Sequence, residues 1–199
     1  VAFFIYCFEN ISDKKVSATV YGNLTNIIGD QNNIGQNNEA KKDSIITGLY
    51  LSNTKINDDS PKYGTLALAT TCPDSSVWVR WKDARLSKFW ETIILSEGFP
   101  PTNVEGSNTG TVATKIVNEP DGKVSVVFLL AWHFPNFEHT WGKKDKQQKT
   151  VTWKNYYSNV WKDAWEVIKY SANNLKRLSE ETKLFRDSLV STTLPTHVI

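Results

Sequence analysis

The feature that most constrains this chain is an apolar run at positions 124–136, VSVVFLLAWHFPN. Its first half leaves no polar face, so as a strand it must be covered on both sides. Pro135 cannot donate a hydrogen bond to a neighbouring strand, so pairing should end there. We therefore predict a central strand that carries Trp132, His133 and Asn136 to a rim of the fold. We expect these residues either to line the rim of a pocket or to form an interface with another domain.

Shorter apolar or alternating segments, separated by turn residues, surround this run. The segment 1–9 is predicted to be a buried strand that forms a hairpin with the alternating segment after residue 15. The turn sequence Pro120-Asp121-Gly122 predicts a second hairpin, between strands 109–117 and 123–131. About seven or eight such strands favour a mainly β fold, an antiparallel two-sheet β-sandwich.

Two other segments interrupt the strand pattern. The composition at 22–43 is rich in Asn, Gln, Gly and Lys, which predicts a long polar loop within the sandwich domain. The segment 83–97 has apolar residues at helical spacing and is predicted to be a short helix.

The last part of the chain is predicted to be one long C-terminal α-helix. Its apolar residues recur every three or four positions, and roughly 45 Å of helix would follow. The members of this docking stripe are Trp161, Trp165, Ile168, Leu175, Leu178 and Phe185. Each large side chain left in water forfeits about 1.5–3 kcal/mol, so the stripe must rest on a neighbour. We divide the chain into a sandwich domain, 1–153, and a connecting helix, 154–199.

Composition removes several functional classes. The 23 basic and 21 acidic residues are mixed without a basic block, so a nucleic-acid partner is not expected. Cys7 and Cys72 are compatible with one disulfide or with two free thiols. The sequence shows no signal peptide and no run of roughly 20 apolar residues, which favours the cytoplasm and leaves membrane association open. Asn10 and Asn23 begin glycosylation sequons that matter only in a secreted protein.

The sequence begins inside a strand and without methionine, so we expect an internal piece of a longer protein. The titratable residues do not form an evident active site. A pair of catalytic carboxyl groups must lie close together in space, in environments that separate their pKa values. The acidic residues of helix and loop segments, Asp83, Glu91, Glu97 and Glu105, are scattered and are interpreted as surface charges.

No metal site or cofactor is predicted. The spacing of His133, Glu138 and His139 fits neither a helical zinc pair nor a zinc finger. His197 has no partner residue near it in the sequence. Among the eight tryptophans, aromatic stacking on a sugar is one interpretation, but Trp78, Trp81 and Trp90 are predicted to be core or interface residues.

Several motifs in order resemble glycoside hydrolase family 116, the group of bile-acid β-glucosidases and non-lysosomal glucosylceramidases. They are AWHFPN at 131–136, NYYSNVWKDAWEVIKYSANNLKRLSEETKLF at 155–185 and STTLP at 191–195. The earlier segments FFIYCFEN, GTLALAT and WETIILSEGFP are also similar to the N-terminal domain of that family. The resemblance covers essentially the whole chain.

The resemblance implies a β-sandwich, a connecting helix and then an (α/α)6 barrel that carries the chemistry. The Glu nucleophile and the Asp acid/base of the family belong to that barrel, so no catalytic residue is assigned in this chain. The partner implied is the barrel of the same polypeptide, and the whole enzyme would act on a β-glucoside or glucosylceramide. In some relatives an acidic residue stands where this chain has His133, which favours an interface role for this histidine.

Two functional classes are therefore kept. The chain is either the noncatalytic N-terminal part of a retaining β-glucosidase, supporting the barrel and shaping its entrance, or a stand-alone carbohydrate-binding or structural β-sandwich module. A stand-alone module has little use for a long apolar stripe at its end, and this favours the first class.

Overall fold

The computed structural model describes residues 1–29, 34–81, 83, 85–95, 107–139, 151–191 and 193. Within these residues the chain forms ten strands, three α-helices and one turn of 3₁₀ helix. Their bounds are β1 Ala2–Glu9, β2 Val16–Thr25, β3 Gln36–Lys42, β4 Thr47–Asn53, β5 Thr65–Thr70, β6 Ser75–Trp78, α1 Leu86–Leu95, β7 Thr109–Asn118, β8 Lys123–His133, β9 Asn136–Glu138, β10 Thr152–Lys154, the 3₁₀ turn Tyr156–Asn159, α2 Ala164–Asn173 and α3 Leu175–Val190.

The strands form two antiparallel sheets and a short ribbon. The large sheet has the order β1-β8-β5-β4-β3, the small sheet has the order β2-β7-β6, and β9 pairs with β10 in the ribbon. The prediction of a mainly β, antiparallel sandwich followed by a C-terminal helix is confirmed.

The strand β8 is covered on both faces, as its sequence predicts. Val126 and Phe128 point into the core between the two sheets, where they join leucines of β4 and β5 and Val112 of β7. On the opposite face of β8, Leu129 and Ala131 pack with α2. The apolar run therefore lies in the middle of three layers: small sheet, large sheet and helix.

Both predicted hairpins are wrong, because each connection crosses from one sheet to the other. β1 belongs to the large sheet and β2 to the small sheet, and the same is true of β8 and β7. The two crossings lie side by side and are joined by asparagines. Asn10 Nδ2 donates to the carbonyls of Asn118 and Glu119, and Asn118 Nδ2 donates to that of Phe8. Each pair of strands thus faces across the core instead of pairing within one sheet.

Two further expectations about β1 and the 22–43 segment need correction. β1 is an edge strand, and Phe4, Ile5 and Tyr6 are each about half exposed, so it is not a buried strand. The segment 22–43 is not one long loop, because β2 extends to Thr25 and β3 begins at Gln36. Polar composition at these positions reflects edge strands: β2 and β3 each lie at the border of a sheet.

The predicted short helix is present as α1 and covers a cluster of aromatic rings. Trp78 and Trp81 are buried and stack on Phe89 of α1, with centroids 6.0 and 4.6 Å away. The prediction that these two tryptophans are core residues is confirmed. Trp90 is half exposed on the outer side of the same helix.

The helical region begins later than predicted and has one interruption. Asp163 caps α2, so Trp161 precedes the helix and is not on its stripe. Asn174 separates α2 from α3, although Leu178 N still donates to Asn174 O at 2.9 Å. Among the described residues, no helix reaches the length and hydropathy that a membrane span requires. The predictions for Glu97, Glu105 and His197 lie outside the described residues.

Candidate functional site

The end of β8 is anchored to the segment that leads into α2. His133 is buried, and its Nε2 lies 2.8 Å from the carbonyl oxygen of Trp161. A carbonyl oxygen can only accept, so Nε2 donates this hydrogen bond. The imidazole also meets the ring of Tyr157 edge to face, with centroids 5.2 Å apart. His133 is therefore part of an interface within this chain, between the large sheet and residues 155–163.

A second set of hydrogen bonds holds the same segment. The Tyr157 hydroxyl and Asn155 Nδ2 both donate to the carbonyl of Phe134, and Asn155 N donates to Pro135 O at 2.8 Å. Together with His133, these groups fix the chain where sheet pairing lapses. The connection between the sandwich and the helix is thus held in place by several hydrogen bonds.

Asn136, the first residue of β9, likewise fixes the backbone beyond the end of β8. It is buried, and its Nδ2 donates to the carbonyls of Asp58 and Ser60 at 2.7 and 2.8 Å. Its amide is used to hold the turn between β4 and β5. Trp132, in contrast, is half exposed. Of the three residues predicted at the rim, the structure therefore places Trp132 at the surface and the other two inside.

The ribbon β9–β10 presents an aromatic surface beside this rim. Phe137 and Trp153 are directly opposite in register, and each is 54% exposed. His139 stacks on Trp153, with ring centroids 5.6 Å apart. This pair could not be predicted from the sequence, because an alternation over three residues is too short to recognise as a strand. Flat exposed rings of this kind can stack on a sugar or on another protein surface.

The first half of the predicted stripe is docked on the large sheet. Ile168 and Ala164 are fully buried against the outer face of β8 and β5, with Trp165 packed beside them. The start of α2 is fixed by two groups: Asp163 Oδ1 accepts from Glu166 N, and Thr65 Oγ1 accepts from Ala164 N, each at 2.9 Å. The first turn of α2 is therefore satisfied by side chains as well as packing.

The second half of the stripe is not docked. Leu175 and Leu178 are half buried, whereas Phe185 is 71% exposed and Leu189 is 48% exposed. We call the residues Leu178, Phe185 and Leu189 the α3 ridge. No residue of α3 is fully buried, and this holds for all sixteen residues of the helix. The docking stripe is thus divided between a covered part and an open part.

The charged groups of the described region behave as structural pairs. The Lys169 ammonium, 2.6 Å from Asp43, holds the pKa of that carboxyl below its usual value, and Arg85 does the same for Asp83. Burial, with Asp163 nearby, raises the pKa of the Tyr50 hydroxyl. Glu91 pairs with Lys88 on the surface of α1. A general acid needs a raised carboxyl pKa, which is the opposite of what Asp43 and Asp83 have.

The described residues also contain no group of three His, Cys, Asp or Glu side chains that could hold a metal ion. Cys7 and Cys72 are free thiols. Asn10, the first sequon residue, is buried, and its Nδ2 donates to three carbonyls, so it is a structural residue of the crossing between the sheets.

The fold and the site define a β-sandwich domain that ends in an outward-facing helical arm. A family model described as the N-terminal domain of beta-glucosidase 2, glycosyl-hydrolase family 116, matches residues 1–178. Because the match covers most of the chain, the chain belongs to family 116 and is the N-terminal domain of such an enzyme. No curated protein matches the chain significantly. The matched range includes the docked helix α2 and ends at the first residue of the α3 ridge.

Proposed function

We propose that this chain is the noncatalytic N-terminal domain of a retaining β-glucosidase or glucosylceramidase, and that it supports the catalytic barrel and shapes its entrance. The substrate of the whole enzyme would be a β-glucoside, with glucosylceramide as the lipid example. The barrel, elsewhere in the same polypeptide, would carry the nucleophile and the acid/base. The role of this chain would be structural, because it would hold the α3 ridge in a fixed position for the catalytic domain.

The observation that carries this proposal is the exposed α3 ridge. Leaving Phe185 and Leu189 in water forfeits about 1.5–3 kcal/mol for each side chain that a neighbour would otherwise bury. The ridge extends a helix that is firmly attached to the sandwich through Ile168 and His133. A domain that docks on the ridge would therefore be held in a defined orientation relative to the sandwich.

The rim at the end of β8 supports the role in shaping an entrance. Trp132, Phe137 and Trp153 expose aromatic surface there, and the backbone beneath them is fixed by buried His133 and Asn136. Aromatic side chains carried on a fixed backbone are suited to border a pocket, because that backbone needs no ordering when a ligand arrives.

Hydrolysis assays on two lengths of polypeptide test the proposal. The 199-residue chain should show no turnover of an aryl β-glucoside, whereas the complete polypeptide should hydrolyse it. Isothermal titration of the 199-residue chain with the same glucoside should show no saturable binding. Turnover by the 199-residue chain alone would contradict the proposal.

The aromatic ribbon favours a second candidate, a carbohydrate-binding module. In that case the 199-residue chain would bind a glucoside or an oligosaccharide saturably, and Trp153→Ala would abolish the binding. Trp90→Ala provides the matched control, because Trp90 is also half exposed but lies on α1. Equal loss in both variants, or no binding by the parent chain, would reject this candidate.

A further inference from the structure

The strands at the edges of the two sheets differ in how their free edges are protected. β3, at one edge of the large sheet, carries the charged residues Glu39, Lys41 and Lys42. β6, at an edge of the small sheet, is only four residues long. Charges and short length both keep an edge from pairing with further strands. β1, at the other edge of the large sheet, has neither protection, because it is eight residues long and its only charge is the terminal Glu9.

β1 also has uncovered apolar residues on both faces. Phe4 lies opposite Phe128 of β8, which belongs to the core between the sheets. Tyr6 shares this inner face and Ile5 lies on the outer face, because side chains alternate along a strand. Phe4, Ile5 and Tyr6 are 41%, 56% and 50% exposed.

The backbone of β1 has a free side as well. Among the described residues, β1 pairs with β8 and with no other strand. In an antiparallel pair, every second residue directs its N–H and C=O groups away from the partner strand. β1 therefore offers unpaired backbone groups and uncovered apolar side chains in the same place.

A groove between β1 and β2 leads from this edge into the core. It has a volume of about 390 Å³, with Phe4 and Tyr6 on one side, Val20 and Leu24 on the other, and Phe128 between them. Val20 and Leu24 also pack against the core between the sheets, so the groove is continuous with that core.

The dimensions of the groove match the side chains of an added strand. A cavity of about 150 Å³ holds a benzene ring, so the groove has room for two large apolar side chains. Alternate residues of a strand are about 7 Å apart, which is also the spacing of Phe4 and Tyr6 on β1. Two successive inward-facing residues of a strand beside β1 would therefore reach the groove, while the backbone of that strand pairs with the free edge.

The size of this surface favours an occupant that is covalently attached. Eleven residues line the groove, whereas each side of a stable complex between separate proteins contributes about 20–30 residues. A segment of the same polypeptide needs less surface, because its effective concentration is high. The stretches 96–106, 140–150 and 194–199, which the structure does not describe, have no two large apolar residues at alternate positions.

We propose that an extended segment of the same polypeptide, outside these 199 residues, pairs with the free edge of β1 as a sixth strand of the large sheet and fills the groove with two large apolar side chains. The inference rests on the proposed function in one respect only, since both require that this chain be part of a longer polypeptide. It does not depend on the α3 ridge.

Hydrogen exchange of the backbone amides tests the pairing without any substitution. In the 199-residue chain, about half of the β1 amides should exchange quickly, because they point away from β8. In the complete polypeptide, nearly all of them should exchange at least about tenfold more slowly, because the added strand accepts their hydrogen bonds. β3 is the matched control, and its exchange should be the same in both polypeptides.

A photo-crosslink in the complete polypeptide identifies the occupant. Phe4 is replaced by p-benzoylphenylalanine, which keeps the phenyl ring in the groove, and the cross-linked peptides are identified by mass spectrometry. The expected product is an intramolecular cross-link to one short segment outside these 199 residues, with apolar residues at alternate positions. The same substitution at Ile34, which is 68% exposed just before β3, should give no single product.

Each other result overturns the inference. Equal exchange of β1 in both polypeptides would mean that its edge stays unpaired. Slow exchange without a cross-link to one segment would mean that a surface other than a strand covers β1. A cross-link to a second copy, to a lipid-like molecule or to a residue within these 199 would identify a different occupant. None of these results bears on the proposed function, which fails only if the 199-residue chain hydrolyses the glucoside.

Discussion

The two halves of the helical arm have the same kind of sequence but opposite environments. In α2, the apolar residues Ala164 and Ile168 are buried on the large sheet, and neither has exposed surface. In α3, Phe185 and Leu189 are 71% and 48% exposed, and no residue of the helix is buried. The comparison shows that a periodic apolar pattern specifies a covered face without specifying what covers it. For α2 the cover is in this chain, and for α3 we propose that it is in another domain.

The largest contrast should appear when one residue of each half is truncated. Ile168→Ala should lower the free energy of unfolding of the 199-residue chain by about 2–5 kcal/mol, because it opens a cavity beneath α2. Phe185→Ala should change it by no more than about 0.5 kcal/mol, because Phe185 is mostly in water. Urea denaturation of both variants measures the difference. Comparable losses would mean that α3 is docked within this chain.

The anchor at His133 should have the next largest effect. His133→Ala removes the donor to Trp161 O and leaves a part-buried carbonyl without this partner, which costs about 1–3 kcal/mol. Hydrogen exchange should increase at residues 155–163 and in α2. His133→Gln keeps an N–H donor and should restore part of the protection. If both variants leave exchange in this segment unchanged, His133 does not anchor the arm.

The side chain that caps α2 allows the stability of α2 and α3 to be compared with single substitutions. Asp163→Ala should cost about 0.5–2 kcal/mol, because Glu166 N loses its acceptor at the start of α2. Asp163→Asn keeps an acceptor and should cost less. Asp187→Ala, an exposed change in α3, is the matched control and should stay within about 0.5 kcal/mol. Equal costs for Asp163→Ala and Asp187→Ala would remove the distinction between the two halves.

The smallest effect is expected from the surface pair between Asp43 and Lys169, which ties α2 to the turn before β4. The folded-state pKa of Asp43 lies below its ordinary value of 3.8, so the pair stabilises the fold above that pH and the contribution is lost as the pH falls through the lowered pKa. The pKa of Lys169 is raised, so the contribution is also lost at very alkaline pH, above 10.5.

Thermal unfolding between pH 2 and pH 7 measures this contribution. Asp43→Asn should lower the stability slightly at neutral pH and should match the parent chain at the acidic end. Added salt should reduce the difference, because the pair is at the surface. A difference that grows as the pH falls would show that the sign of the assignment is wrong.

Much of the fold follows from local sequence, and the predictions that were wrong failed for physical reasons. The uniform apolar character of β8 predicts cover on both sides, and α1 follows from the spacing of Phe89 and Ile93. The sheet crossings could not be predicted, because Pro120-Asp121-Gly122 forms a tight turn in either a hairpin or a crossing. What decides between them is the long-range pairing of β7 with β2 and of β8 with β1.

The candidate site was predicted less well than the fold. The end of β8 was located correctly, but the directions of its side chains depend on contacts far away in sequence. His133 is turned inward by Trp161 and Tyr157, and Asn136 by the carbonyls of Asp58 and Ser60. Tertiary partners of this kind leave no local pattern. The same holds for β1, whose apolar sequence indicates burial although the strand lies at the edge of its sheet.

The most direct test of the central claim compares two neighbouring residues in the complete polypeptide. Phe185 and Leu184 are 71% and 68% exposed in this chain, but only Phe185 belongs to the α3 ridge. Phe185→Asp should lower the thermal midpoint and the glucoside-hydrolysing activity retained after heating, whereas Leu184→Asp should leave both unchanged. In the 199-residue chain neither substitution should shift the midpoint. Equal behaviour of the two variants in the complete polypeptide would contradict the claim that the ridge holds the catalytic domain.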